Sequence, residues 1–204
     1  MKLYDVKLST DCYKVRLMLS LLGLDYEPVP VDVMAGEHES EKFLTLNPFG
    51  KLPVLVDGDV TLRDCHAALV FLALKHKHSE GNWMPTDPIG AGEVMQWLSV
   101  AANEMQHGLN EAWLLEAFNI GTDPEGAQER AKAVLDIMEQ HLQARDWLAL
   151  GQLGRLTVGD VACYPYIAVA PDGKIDLSPY TAIQAWMKRV EALPGFVPML
   201  PNPE

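Results

Sequence analysis

The sequence predicts an α/β unit followed by an all-α one: residues 1 to 78 as a small sheet with helices, 79 to 88 as a linker, and 89 to 204 as helices. Short apolar runs rich in β-branched residues alternate with helical stretches before residue 80. The string SEGNWMPTDP at 79 to 88 places Gly and two prolines between helical patterns, which marks a connection. Beyond it the apolar spacing is helical.

Lys2 to Val6 reads as a strand, Tyr13 to Leu22 as an apolar helix and Tyr26 to Val31 as a second strand. A polar connection then leads to a short helix at Glu41 to Leu46. Val54 to Val56 and Val60 to Leu62 read as strands joined by the turn Asp57-Gly58-Asp59, and Ala67 to Lys75 as a helix. This βαβ-α-ββ-α order leaves no room for the paired mononucleotide-binding halves of a full dinucleotide domain. Further helices are expected at 89–107, 109–118, 124–147, 158–169 and 179–192. Thr157 and Asp160 open the fourth of these as a structural cap, a Thr-x-x-Asp arrangement able to answer free amides at a helix start.

With 204 residues, 49% apolar and 22% charged, the chain has the makings of an ordinary globular core. A formal charge of -12 argues against a nucleic acid partner while leaving room for a local basic pocket that takes an anion. The acidity is concentrated after residue 80, with 7 basic and 16 acidic side chains against 9 and 12 before it. The start MKLYDVKLSTD lacks a secretory pattern, and no stretch of about eighteen apolar residues follows, so no membrane association and a cytoplasmic location are expected. Cys12, Cys65 and Cys163 are odd in number and widely spaced. They suit a reducing compartment and give neither a disulfide scaffold nor a metal site.

Five strings, in order and at their spacing, carry a resemblance. LSTDCYKVRL (8–17), NPFGKLPVL (47–55), RDCHAALVFL (63–72), LTVGDVACYPY (156–166) and PYTAIQAWMKRVEALPGF (179–196) together look like a soluble glutathione S-transferase of the bacterial type, with a theta/delta-like serine-centred motif. The resemblance implies a thioredoxin-like N-terminal domain that binds glutathione as co-substrate. It also implies a C-terminal helical glutathione-transferase domain that shapes the site of a small hydrophobic electrophile, and a homodimer.

Residue by residue, the resemblance implies a cis peptide between Leu52 and Pro53, with the Leu52 backbone bonding the cysteinyl part of glutathione. Asp64 and Cys65 fall where relatives hold the γ-glutamyl end with an acidic residue and Ser. A thiol is a weaker hydrogen-bond donor than the hydroxyl it replaces. Asp64 also reads as a plain helix cap, and Cys65 as a small buried apolar side chain. Lys51 is the local basic candidate for the glycyl end, with His38 and Lys42 as further contacts.

The expected chemistry is a hydrogen bond from Ser9 Oγ to the glutathione sulfur near the positive end of the first helix, favouring thiolate. If a bound thiol begins near a pKa of roughly 8.5, a hundredfold gain in acidity corresponds to about 2.7 kcal/mol. Thr10 is the competing hydroxyl, and either residue also suits a plain helix start. Asp11 stands where close relatives have Asn, and a carboxylate facing the sulfur would oppose ionisation. Ser9-x-x-Cys12 resembles a redox CxxC site with its first thiol replaced, so a glutathione-dependent disulfide reductase or peroxidase using Cys12 or the bound glutathione is an alternative, as is a non-catalytic interaction module. Trp97, Met105, Trp113 and Tyr164 are candidates for the electrophile pocket, although aromatic and Met residues at helical spacing are more often core.

Overall fold

The computed structural model describes residues 1–76, 83–150 and 155–199. The expected boundary at 78 and residues 79–82 of the expected linker lie outside the described residues. The chain forms two compact units: one runs to His76 and takes in the stretch from Pro194, and the other is built from the residues between. The first is a thioredoxin-like α/β layer, the second a helical bundle.

In the first unit, β1 (Lys2–Asp5), β2 (Glu27–Pro30), β3 (Val54–Asp57) and β4 (Val60–Leu62) form one sheet in the order β2-β1-β3-β4. β1 pairs in parallel with β2, with Lys2 opposite Glu27, and antiparallel with β3, with Leu3 opposite Leu55. A parallel pair needs a crossover, and α1 (Thr10–Leu21) supplies it. β3 and β4 are a hairpin closed by Gly58 at φ +59°, a backbone conformation that glycine adopts without steric cost.

Leu3, Val54 and Leu55 are buried in the sheet, and Val15, Leu17, Met18 and Leu19 are buried on α1. The sheet also carries a satellite core of Val31, Phe43 and Val54, with Tyr4 edge-on to Phe43 at 6.2 Å. Phe43 lies on α2 (Glu41–Leu46). α3 (Cys65–Lys75) packs against α1 and buries Ala68, Leu69 and Leu72. Both α1 and α3 start earlier than their apolar runs, because Ser9 and Asp64 cap them: each side chain accepts the amide three residues on.

The sequence predicts that residues 89–204 stay together as the helical part. Residues 194–199 instead pack on the first unit, where Tyr13 Oη and Ser20 Oγ donate to the carbonyls of Val197 and Gly195, each at 2.6 Å.

In the second unit, α4 (Pro88–Val100) runs without a break through a π-helical stretch (Ala101–Asn110) into α5 (Glu111–Phe118). The apolar spacing predicts a boundary at Gly108, yet Gly108 is a point of close approach to α6 (Pro124–Leu142). A Cβ there would fall 2.7 Å from Ala131 N. Arg130 Nε reaches across at the same place to His107 O, at 2.8 Å. α6 ends at Leu142, short of the expected 147, and buries Ala127, Ala131, Val134, Leu135, Met138 and Leu142 along one stripe.

α7 (Val158–Ala168) is the centre of the bundle and is buried nearly throughout. Its start carries both hydrogen bonds of the capping box between Thr157 and Asp160. α8 (Thr181–Glu191) covers it with Ile183, Trp186 and Val190. Burial pushes the Asp160 carboxyl up, against donors from Leu148, Trp186 and Thr157 that pull it down.

Candidate active site

Three pieces of the first unit carry the residues singled out by sequence: the start of α1, the loop before β3, and the start of α3. Ser9 is half-buried with extended backbone, and its Oγ accepts the Cys12 amide at 3.2 Å. That bond uses an oxygen lone pair, while the hydroxyl also hydrogen-bonds the Cys12 thiol, so donation to a ligand requires it to turn away from Cys12. Thr10 beside it is buried.

Cys12 is 0% exposed, and its sulfur accepts the Val6 amide at 3.4 Å. Burial pushes the Cys12 thiol up to about 12. A reacting cysteine needs access and a lowered pKa, and Cys12 has neither. It packs α1 onto the loop that carries Ser9, and this geometry disfavours the Cys12 redox alternative. Asp11 points at Lys14, with Oδ1 2.7 Å from the ammonium.

The loop before β3 contains the cis Leu52–Pro53 peptide. Asn47, which sequence reasoning missed, shapes this loop from a fully buried position. Its Nδ2 donates to Lys51 O at 2.7 Å, and its Oδ1 accepts the Phe49 amide at 3.1 Å. A polar residue before Pro at the end of an apolar helical run was the available signal, and it reads equally as a turn. Lys51 and Lys42 are exposed, and His38 is half-buried with its Nδ1 unpartnered among the described residues.

At the start of α3, Asp64 is exposed and its Oδ1 accepts the Ala67 amide at 2.8 Å. Cys65 is buried with Sγ 4.0 Å from Lys14 Nζ, so its thiol faces the protein interior. Burial raises that thiol well above the usual range, opposed by the Lys14 charge.

In the helical unit, Trp97 is half-buried and lines a cavity of about 590 Å³ together with Val100, Asn103, Glu104, Arg130 and Ile137. Met105, Trp113 and Tyr164 do not line it. All three are buried in the core, Tyr164 donating to Glu191 Oε1 at 3.0 Å and Trp113 packing edge-on to Phe118. Among the described residues no cluster of side chains could hold a metal ion, and no helix is long and apolar enough to cross a membrane.

A mixed α/β layer with a cis proline before its third strand, followed in the chain by a helical bundle, is the two-domain arrangement of the glutathione transferase class. The chain belongs to the glutathione S-transferase family: residues 1–74 match its N-terminal domain and 62–194 its C-terminal domain. Glutathione S-transferase 3 of Zea mays is 32% identical, over all of this chain and 97% of its own. A crystal structure of a glutathione S-transferase from Pseudomonas fluorescens is 35% identical with a TM-score of 0.88, covering 98% of each chain. A glutathione transferase homologue from Drosophila mojavensis, solved with bound glutathione, is 26% identical with a TM-score of 0.83, over 95% of this chain and 88% of that one.

Proposed function

We propose that the protein conjugates the thiolate of glutathione to small hydrophobic electrophiles, with Ser9 Oγ donating to the sulfur. The observation that carries this reading is the state of the two hydroxyls. Ser9 is half-exposed, with its oxygen oriented by the Cys12 amide at the start of α1, whereas Thr10 is buried. A hydroxyl donor beside the first free amides of a helix favours an anion. Family membership supports glutathione as co-substrate, and the Drosophila mojavensis homologue was solved holding it.

In this reading the Leu52 backbone takes the cysteinyl amide, Asp64 takes the γ-glutamyl ammonium, and the first amides of α3 take its carboxylate. Lys51 serves the glycyl carboxylate, with His38 and Lys42 beside it. Cys65 contributes main chain only, since its sulfur is turned toward Lys14. Two copies in a cytoplasmic homodimer complete the proposal.

The inward Cys65 thiol favours one second reading, a transferase-like interaction module that binds glutathione weakly or not at all. Binding to immobilised glutathione, followed by conjugation assays over a broad electrophile panel, separates the two. Ser9→Ala should lose about a hundredfold in kcat/KM while Thr10→Ala and Cys12→Ser keep most of it. Full activity in Ser9→Ala would remove Ser9 from the mechanism.

A further inference from the structure

Lys14 stands in the second turn of α1 with no solvent exposure, an unusual place for an ammonium group. Its Nζ lies 2.7 Å from Asp11 Oδ1, 3.4 Å from His66 Nε2 and 4.0 Å from Cys65 Sγ. Each of these three atoms can accept from the ammonium, and the Cys65 thiol also hydrogen-bonds Asp11. Asp11 is two residues beyond Ser9, and Cys65 and His66 directly follow Asp64. One buried charge thus sits between the first turns of α1 and α3, the turns assigned above to the thiol and to the γ-glutamyl end.

The contact with Nε2 requires a neutral imidazole with its proton on Nδ1, because a protonated ring would present a donor to a donor. Burial first, then the Lys14 ammonium, holds His66 below its usual range, while Asp64 and Asp11 pull it upward. Asp11, by contrast, keeps a side chain that is 35% exposed and carries a negative charge at the end of α1 where a thiolate must form. An uncompensated carboxylate there would hold the sulfur protonated.

We infer that Lys14 is a positioning residue for thiolate formation: it cancels the Asp11 carboxylate next to Ser9 and ties the start of α3 to the start of α1 through His66. This inference rests on the transferase reading. The thiol proton of bound glutathione leaves to solvent, and Lys14 sets the pH at which it does so.

The test uses the full chain, glutathione as the probe, and Lys14→Met, Lys14→Arg, Asp11→Asn and the double variant Asp11→Asn/Lys14→Met, each checked for folding by thermal unfolding. Ultraviolet absorbance of bound glutathione thiolate and the pH profile of kcat/KM give the ionisation midpoint. Nuclear magnetic resonance follows the His66 imidazole without glutathione.

Lys14→Met should move the thiolate midpoint up by about one pH unit, the double variant should bring most of it back, and Lys14→Arg should stay near the wild-type value. The His66 midpoint should rise in Lys14→Met. If Lys14→Met does not fold, Asp11→Asn alone decides, since it leaves the Lys14 charge in excess and should move the thiolate midpoint down. Unchanged midpoints in folded variants of a wild-type protein that does form thiolate would overturn the inference alone. A wild-type protein that forms no glutathione thiolate would overturn it together with the transferase reading.

Discussion

Trp186 donates its indole Nε1–H to Asp160 Oδ1 at 2.9 Å, fastening α8 to the first turn of α7 through a carboxylate with no exposure to solvent. The same carboxylate accepts the amides of Leu148 and Thr157 at 3.0 and 2.9 Å. Asp160→Ala would leave these three donors buried without an acceptor. With about 1 kcal/mol or more for each, denaturant unfolding should show a loss of at least about 3 kcal/mol. Trp186→Phe, which removes one donor and keeps much of the ring, should cost less. Equal losses in the two variants would show that packing, and not the carboxylate, holds this corner.

Two glycines in one continuous helix should respond with opposite sign. A Cβ at Gly108 would lie 2.7 Å from Ala131 N and 3.0 Å from Arg130 C, both backbone atoms of α6. Gly108→Ala should therefore destabilise by about 1–3 kcal/mol. At Gly92 a Cβ meets nothing within 4 Å, and Gly92→Ala should stabilise by about 0.5–1 kcal/mol. Thermal unfolding of the pair checks both directions at once.

The Cys12 thiol, at about 12 when folded against 9.0 as its reference, makes a pH prediction. Its folded value is raised, so its contribution to stability is complete below pH 9 and is given up as the pH climbs from 9 toward 12. Cys12→Ala should flatten the alkaline limb of the stability curve in that window, whatever it costs at neutral pH. Alkylation of Cys12 in the folded protein at pH 8 should be slower than in the unfolded chain by about a thousandfold from thiolate fraction alone. Rapid labelling of the native protein at Cys12 would contradict its burial.

Asn47 fixes the loop before β3 from within. Asn47→Ala frees the Lys51 carbonyl and the Phe49 amide, and the loop should then sample more conformations. The expected result is a several-fold rise in KM for glutathione with kcat largely kept, together with a loss of about 1–3 kcal/mol in stability. A fall in kcat at unchanged KM would place Asn47 in the chemistry instead.

The order of strands and helices was legible because apolar period and turn residues act locally, and so was the Thr157–Asp160 cap. Gly108 was not: glycine punctuates a helix in sequence, and only the neighbouring helix reveals that the missing Cβ makes room for a backbone. Lys14 escaped for a related reason. A lysine between apolar residues reads as a solvated stem, and its partners His66 and Cys65 lie about fifty residues away in sequence. Met105, Trp113 and Tyr164 show the reverse case, large side chains attractive for a ligand site that the packing of the bundle consumes.

The stretch that follows α8 gives the chain an order of completion. Tyr13 and Ser20 of α1 donate hydrogen bonds to carbonyls 184 and 175 positions further on, with Gly195 close against the Ser20 carbonyl. During synthesis the unit that bears Ser9 must wait with its first helix incompletely packed while the bundle is made. Its last contacts close only after the entire bundle has left the ribosome. The helix proposed to start the chemistry is therefore completed only after the helical unit that follows it in the chain.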